Sequence, residues 1–311
     1  MLFRSVGLGE NLRFSYDGIS EFGDLTLQLG SSVTGLGVIP QNPGAVTLTG
    51  DDITLSRSRI ISLTLGTAPG PPITINSAGT LSILGAAGDP VLSTGVFSAV
   101  PSDVGQNGGA INATAERFLI RSGGRLQSST EGAGAAGDIQ VRAGEINSDG
   151  FTPVGPAAEP SFDNSAESAI SSLTTSLGDS GRLNIRADRL TLTNGAVIET
   201  ASAPEARGRA RAVNLVTGEL IMVGGNPENA VQTSRIATLT FGEGSGESVT
   251  VQAGSAQLAD GAQIGSVTSG RQGSGDLRVV VEGLLLISGE NLTLPGQGAG
   301  STVATDRKSV V

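Results

Sequence analysis

Three arginines at alternate positions, Arg207, Arg209 and Arg211, form a basic cluster in a segment predicted to be a loop. Guanidinium groups bind planar anions through paired, charge-assisted hydrogen bonds. The cluster is therefore a candidate contact for a sulfated or acidic glycan, or for another partner. The alternative interpretation is that the three side chains are solvated charges at a corner of the fold.

Acidic residues show no arrangement expected of a catalytic or metal site. Asp51 and Asp52 are the only adjacent acidic pair, and they lie at a predicted turn, where Asp commonly bonds to nearby backbone. A polysaccharide-degrading enzyme needs clustered carboxyl groups, yet the D-x-D spacing that would place two on one strand face does not occur. Glu243 and Glu247 flank Gly-Ser-Gly and could contact a cation, but the glycine-rich calcium repeat is absent. The sequence predicts no catalytic, cofactor-binding or metal-binding residue.

Composition excludes further functions. Histidine and cysteine are both absent, which excludes zinc fingers, thiol catalysis, Ser-His-Asp hydrolysis and disulfides. The formal net charge is −10, which argues against nucleic acid or an anionic membrane as a partner. No apolar stretch reaches the roughly 20 residues of a membrane span. The start of the chain lacks the apolar run, about 7–15 residues long, of a signal peptide.

An internal repeat organises the chain. Most copies begin with Gly, carry aliphatic residues two and four positions later, and continue through a polar turn into a second alternating pair. Two copies, 181–202 and 246–270, add a third alternating segment after Asn194-Gly195 and Asp260-Gly261. The copies cover 23–39, 44–66, 108–130, 137–150, 181–202, 210–225, 246–270 and 275–290. The glycines that open seven of them, called anchor glycines below, are Gly23, Gly44, Gly109, Gly137, Gly181, Gly246 and Gly275.

Alternation over two or three inward positions predicts short strands. Several spacings between anchor glycines are close to small multiples of one repeat length. We therefore predict an all-β, right-handed parallel β-helix with rungs of about 22 residues, each with three strands and three turns. Aliphatic side chains of successive rungs should stack into a core. The predicted core residues are Ile139, Val141, Leu183, Ile185, Leu190, Leu192, Ile198, Val249, Val251, Leu258 and Ile264.

Irregular segments interrupt this repeat. Residues 1–22 are predicted to be irregular or a partial first rung, and 23–290 to be the β-helix. Loop insertions rich in Gly, Pro, Ala and acidic residues are predicted near 85–107, 149–168, 203–209 and 225–235. We expect them to leave one side of the solenoid, where binding surfaces are commonly built.

The last segment, 291–311, is predicted to be an incomplete rung with an artefactual tail. Its final six residues, Asp306-Arg-Lys-Ser-Val-Val, fit no repeat position and correspond to translated sequencing-adapter DNA. The alternative is a genuine short basic tail. A solenoid that ends within its array lacks a polar cap. We therefore expect poor order after about residue 290, exposure of Leu284, Leu286 and Ile287, and end-to-end association of chains.

The repeat GDIxVxA…LxLxNGAxIxTxS resembles that of large bacterial surface exoproteins of the filamentous-haemagglutinin type, closest to the cyanobacterial versions. It is carried by 137–143, 181–202, 246–269 and 275–290. The resemblance implies export through an outer-membrane transporter of the two-partner type, an extracellular or cell-surface location, and contact with glycans or proteins of host or neighbouring cells. It covers the repeat region alone, because Gln41-Asn42-Pro43-Gly44 does not match the Asn-Pro signature of the family's secretion domain.

The function expected from these observations is that of a structural or adhesive stalk segment of a secreted surface protein. The alternative is a polysaccharide-degrading β-helix enzyme, a lyase or glycosidase, which would require Asp, Glu and Arg to converge on one groove. A self-associating scaffold is a third possibility, because open solenoid ends invite edge pairing.

Overall fold

The computed structural model describes residues 23–38, 44–85, 94–150, 167–226, 229–270, 272–289 and 301–307. Within these ranges the chain is all β, and no helix is long and apolar enough to cross a membrane. In chain order the strands are β1 (Leu25–Gln28), β2 (Ser32–Gly37), β3 (Val46–Gly50), β4 (Ile53–Ser56), β5 (Arg59–Thr64), β6 (Ile73–Ser77), β7 (Thr80–Leu84), β8 (Gly95–Val100), β9 (Ile111–Arg121), β10 (Arg125–Thr130), β11 (Ile139–Asp149), β12 (Ala169–Thr174), β13 (Leu183–Thr193), β14 (Val197–Ser202), β15 (Val213–Val223), β16 (Gly225–Asn226), β17 (Asn229–Thr233), β18 (Arg235–Thr240), β19 (Val249–Ala259), β20 (Gln263–Thr268), β21 (Leu277–Val281), β22 (Leu285–Ser288) and β23 (Thr302–Arg307).

The chain winds as a parallel β-helix, which confirms the predicted fold class. The chain passes back and forth between a 12-stranded and a nine-stranded sheet, and it enters the larger sheet by one long strand or by two short ones. Every pairing within these two sheets is parallel. In each long strand the sixth residue has no register partner, and the alternation of buried and outward residues shifts there. This residue divides the strand into two arms, so a full rung has three arms. In the rung of β13 and β14, the first arm is 183–187, the second 189–193 and the third 197–202.

The rungs are longer than predicted. Register partners in successive rungs show this directly: Thr238 and Ser266 are 28 residues apart, and Asn184 and Asn214 are 30 residues apart. Where a long connection intervenes, the separation grows further. The predicted period is therefore too short and is wrong. The predicted rung length omits the loop that joins the third arm to the next first arm. This loop has eight residues in most rungs.

The core is the predicted one. All eleven predicted residues are at most 1% exposed, and they belong to one continuous apolar cluster. Since strand neighbours lie about 4.8 Å apart, each aliphatic side chain contacts its counterparts above and below. The alternation of aliphatic and polar residues therefore predicts correctly both the strands and the face of each strand that is buried.

The anchor glycines permit the close approach of successive rungs. A β-carbon on Gly137 would overlap the carbonyl oxygen of Gly109, and one on Gly181 would overlap that of Gly137. Any larger residue would push the rungs apart at this loop. Gly109 and Gly275 meet a backbone oxygen of the preceding rung in the same way, whereas Gly23 and Gly246 do not. Backbone packing between rungs therefore accounts for glycine at four of the seven anchor positions.

Tight turns join the second arm to the third. Asn194 and Gly195 both have positive φ, 55° and 82°, as do Asp260 and Gly261, 54° and 90°. Two successive left-handed residues turn the chain sharply, which Asn-Gly and Asp-Gly tolerate best. The turns predicted at these dipeptides are present.

Long connections leave from this same corner in every second rung. From β4 onward, the connection between second and third arm alternates between a short turn of two or three residues and a segment of ten or more. The long connections are 85–94, 150–168, 224–234 and 289–301, and the third of these contains the antiparallel pair β16 and β17. A short turn therefore separates each long connection from the next.

Two of the predicted insertions differ from the structure in their bounds or their corner. The range 85–107 is too wide, because β8 lies within it as a regular third arm. Segment 203–209 belongs to the opposite corner, in a loop of ten residues between β14 and β15. Residues 1–22 and 151–166 lie outside the described residues.

Polar residues also point inward, although the predicted core contains only aliphatic side chains. The fourth position of the third arm is a fully buried row of hydroxyls: Ser62, Ser98, Ser128, Ser172, Thr200, Thr238 and Ser266. Four of them bond to the backbone of the following loop, as Ser98 Oγ does to Gly109 O at 2.7 Å and Gly181 N to Ser172 Oγ at 2.6 Å. Ser128 and Thr238 donate instead to the hydroxyls of Ser172 and Ser266 in the next rung. The sixth position acts similarly, since Thr130 Oγ1 donates to Gly134 O at 2.6 Å.

Thr174→Val tests this loop attachment. Thr174 Oγ1 donates to the carbonyl oxygen of Gly178, and its loss leaves a buried acceptor unpaired, which costs about 1–3 kcal/mol. The measurement is the free energy of unfolding in urea. Thr191→Val, at an outward position of β13, is the control and should change it by less than about 0.5 kcal/mol. Equal effects of the two substitutions would contradict the attachment.

The last described strand corrects the expectation for the tail. β23 (Thr302–Arg307) pairs in parallel register with β20 and continues the third arm. The prediction of poor order is therefore wrong for 301–307, and Asp306 and Arg307 do occupy repeat positions. Leu284, Leu286 and Ile287 are 42–70% exposed, as predicted. End-to-end association stays a prediction.

Candidate functional site

The three predicted arginines lie in the loop between β14 and β15, and each faces a carboxylate. Arg207 Nε is 3.1 Å from Glu243 Oε2, and both side chains are well exposed. Arg209 Nη2 and Arg211 Nη1 are each 2.8 Å from Asp179 Oδ2. The structure thus places this candidate contact within ion pairs.

Stacking of three consecutive loops brings these charges together. Asp179 and Arg182 come from the loop after β12, Arg209 and Arg211 from the loop after β14, and Glu247 from the loop after β18. Glu247 lies 2.9 Å from Arg211 Nε and 3.6 Å from Arg182 Nε. We call these five residues the corner network, in which three positive charges surround two negative ones.

The electrostatics of the corner network keep Asp179 ionised. Partial burial alone would raise the pKa of Asp179, but hydrogen bonds from Arg209 and Arg211 outweigh it and hold the pKa below its ordinary value. The bond to Asp179 in turn raises the pKa of Arg209. A carboxylate that resists protonation cannot act as a general acid near neutral pH. The network is suited to joining rungs.

Asp179→Asn should make the protein less stable at neutral pH and flatten its response to acid. A carboxyl whose pKa is lower in the folded state stabilises the fold above its unfolded pKa of about 3.9, and this contribution is lost as the pH falls through the folded pKa. Thermal midpoints between pH 7 and pH 2 measure it. Asp51→Asn, which removes the same charge from a bend, is the control. Parallel pH profiles for Asp179→Asn and the parent would contradict the prediction.

A second charged cluster, which the sequence did not predict, is buried between two third arms and the end of the connection 150–168. Arg235 Nε donates to Glu199 Oε2 at 2.6 Å, and Arg235 Nη2 to Glu167 Oε2 at 3.2 Å. Glu167 is 2% exposed and Glu199 8%. Burial raises the pKa of Glu167 above its ordinary value despite the attraction of Arg235, and Glu199 raises it further.

This cluster is where two carboxylates converge, yet its geometry does not suit glycan hydrolysis. Both carboxylates bind the same guanidinium, and both are nearly inaccessible, so a sugar ring cannot reach them. Little in the sequence indicates this cluster. Glu199 lies at an outward position of β14, and its register partners in the adjacent strands are the uncharged residues Ser171 and Ala237.

The other acidic residues singled out by sequence have structural roles. Asp51 and Asp52 occupy a bend between β3 and β4, and Asp52 Oδ1 accepts a hydrogen bond from the backbone N–H of Thr80 at 2.6 Å. Glu243 and Glu247 bind arginines. Among the described residues, no group of three acidic side chains is placed to hold a metal ion.

The outward face of the first arm carries arginines that are not neutralised in this way. A shallow depression of about 370 Å³ is lined there by Thr114, Arg142, Arg186, Asp188 and Val216, among others. Arg142 and Arg186 are exposed register partners in β11 and β13. Neither forms an ion pair with any carboxylate of the described ranges.

Comparison of the chain with known protein families, with curated proteins and with solved structures finds no match.

Proposed function

We propose that the chain is a structural and adhesive stalk segment of a secreted bacterial surface exoprotein. In this proposal an outer-membrane transporter of the two-partner type exports it, and its exposed loops and faces contact glycans or proteins of host or neighbouring cells. The observation that carries the proposal is the unbroken parallel register of the third arm through nine strands, from β2 to β23.

Such stacking favours a rigid spacer. Eight spacings of about 4.8 Å give a rod of roughly 40 Å along the solenoid axis. Each rung contacts its neighbours through aliphatic rows, buried hydroxyls and ion pairs between loops. The absence of cysteine suits a chain that crosses an outer membrane unfolded, since no disulfide has to form or break.

The enzymatic alternative has less support. The converging carboxylates, Glu167 with Glu199 and Asp179 with Glu247, are held by arginines. A glycosidase needs two accessible carboxyl groups facing each other across a sugar. The pairing of these residues with arginines favours a mechanical role over a hydrolytic one.

The test combines shape, adhesion and turnover on one protein sample. We expect small-angle scattering to fit a stack of rungs about 40 Å long along the solenoid axis, labelled protein to bind bacterial or host cells, and acidic polysaccharides to stay intact. Leu192→Asp, which should disrupt the rungs, is the control for shape and adhesion. Scattering that the stacked rungs do not fit, absence of cell binding, or release of reducing or unsaturated sugar ends that Glu199→Gln abolishes would each contradict the proposal.

A further inference from the structure

Arg142 and Arg186 form an unusual pair on the outward face of the first arm. They are direct register partners in adjacent rungs, so their backbones lie about 4.8 Å apart. Like charges placed directly opposite each other destabilise a sheet. The chain thus maintains a repulsive pair at an exposed position where neutral residues such as Thr114 and Val216 occupy the neighbouring rungs.

The second arm of the same strands shows the opposite arrangement. There Arg117, Glu145, Arg189 and Glu219 are successive register partners, so the charges alternate from rung to rung. Arg189 Nη2 lies 2.7 Å from Glu219 Oε2. Arginines of the second arm are therefore matched by carboxylates, and the first-arm pair stands out by comparison.

An amide row runs beside the arginine pair. Asn112, Gln140, Asn184 and Asn214 are register partners at the second position of the first arm, and Asn214 Nδ2 donates to Asn184 Oδ1 at 3.1 Å. Arginines and amides together line a second depression of about 150 Å³, whose lining contains no carboxylate. Asp188 lines the first depression, on the other side of the arginines. An anion would therefore bind on the amide side.

We propose that this face, formed by Gln140, Arg142, Asn184, Arg186 and Asn214, binds an acidic polysaccharide. A sugar carboxylate lies between the two guanidinium groups and relieves their repulsion, while the amides exchange hydrogen bonds with ring hydroxyls. The inference rests on the proposed adhesive function and names its ligand class.

A nucleic acid fits this face less well. Neither depression is lined by an aromatic side chain, so bases would find no ring to stack on. The net charge of −10 also repels a dense polyanion.

Binding of polygalacturonate, measured by calorimetry at low salt with neutral dextran as the uncharged probe, tests the proposal. The double variant Arg142→Gln/Arg186→Gln should weaken binding at least about tenfold, since each charge-assisted hydrogen bond contributes a factor of this order. Arg189→Gln removes a charge from the same strand β13 but from a matched pair, so it should change affinity less than about twofold. Thermal midpoints verify folding, and Arg142→Gln alone should be at least as stable as the parent because it removes a repulsion.

Equal binding by the double variant and the parent would overturn the proposal. So would an equal loss in Arg189→Gln, or competition by duplex DNA at equal charge concentration. If the parent binds cells but not polygalacturonate, the ligand assignment fails and the stalk function stands. If polygalacturonate binds at this face and cells do not, the adhesive function fails alone.

Discussion

Replacing Leu192 with Asp should unfold the rungs on both sides of β13. Leu192 is fully buried, and its register partners are Ser148 in β11 and Met222 in β15. A buried carboxylate without a partner costs several kcal/mol, on the order of 5, in addition to the lost packing of the leucine. Because each rung is stabilised by its neighbours, the damage should spread along the solenoid.

Thermal and urea unfolding measure this loss. Thr191→Asp places the same carboxylate on the outward face of β13, one residue away, and should change the free energy of unfolding by less than about 1 kcal/mol. The difference between the two variants measures the effect of placing the carboxylate inward rather than outward. Equal thermal stability of Leu192→Asp and the parent would refute the assignment of the core.

The second large effect is expected for Arg235→Met. This substitution removes the guanidinium that binds both Glu167 and Glu199 and leaves two buried carboxylates side by side. Removal of one partner from a buried ion pair costs about 3–5 kcal/mol. We therefore expect Arg235→Met to lose much of the protein's stability at pH 7.

The stability deficit of Arg235→Met should depend on pH. Without Arg235, burial and repulsion from Glu199 hold the pKa of Glu167 above its unfolded value of about 4.3, against a smaller lowering by Arg125. A raised pKa stabilises the fold below the unfolded pKa, and this contribution is lost as the pH rises through the folded pKa. The deficit should therefore shrink near pH 4.

Two further variants make the result specific. Adding Glu167→Gln and Glu199→Gln to Arg235→Met should restore most of the stability at pH 7, because neither buried carboxylate remains. Arg207→Met breaks an exposed ion pair and should have little effect. A deficit for Arg235→Met that is the same at pH 4 and pH 7 would show that the lost stability does not come from unpaired carboxylates.

The fold class and the core could be predicted because both depend on local alternation. Leu183, Ile185, Leu190 and Leu192 alternate with polar residues within one strand, and such a pattern allows one buried face. The rung length could not be obtained in the same way, since the third-to-first loop has no apolar alternation. Its regularity comes from contacts such as that of Ser98 with the backbone of Gly109.

The charged sites depend on register between rungs, which the sequence does not display. Arg211 and Asp179 are 32 residues apart, and Arg235 and Glu167 are 68 apart. An error of a few residues in the rung length is enough to lose these pairings. Sequence reasoning therefore found Arg207, Arg209 and Arg211 as a group of charges but could not find their carboxylate partners.

The alternation of short and long connections at one corner implies that a short-turn rung acts as a spacer between long connections. Deleting such a rung would bring two long connections to the same corner at a separation of about 4.8 Å, the spacing of adjacent strands. Two segments of ten or more residues that leave so close together would compete for the same volume. Two short turns, by contrast, do follow each other in the first two described rungs, between β1 and β2 and between β4 and β5. Length variants of such a stalk should therefore keep at least one short-turn rung between successive long connections.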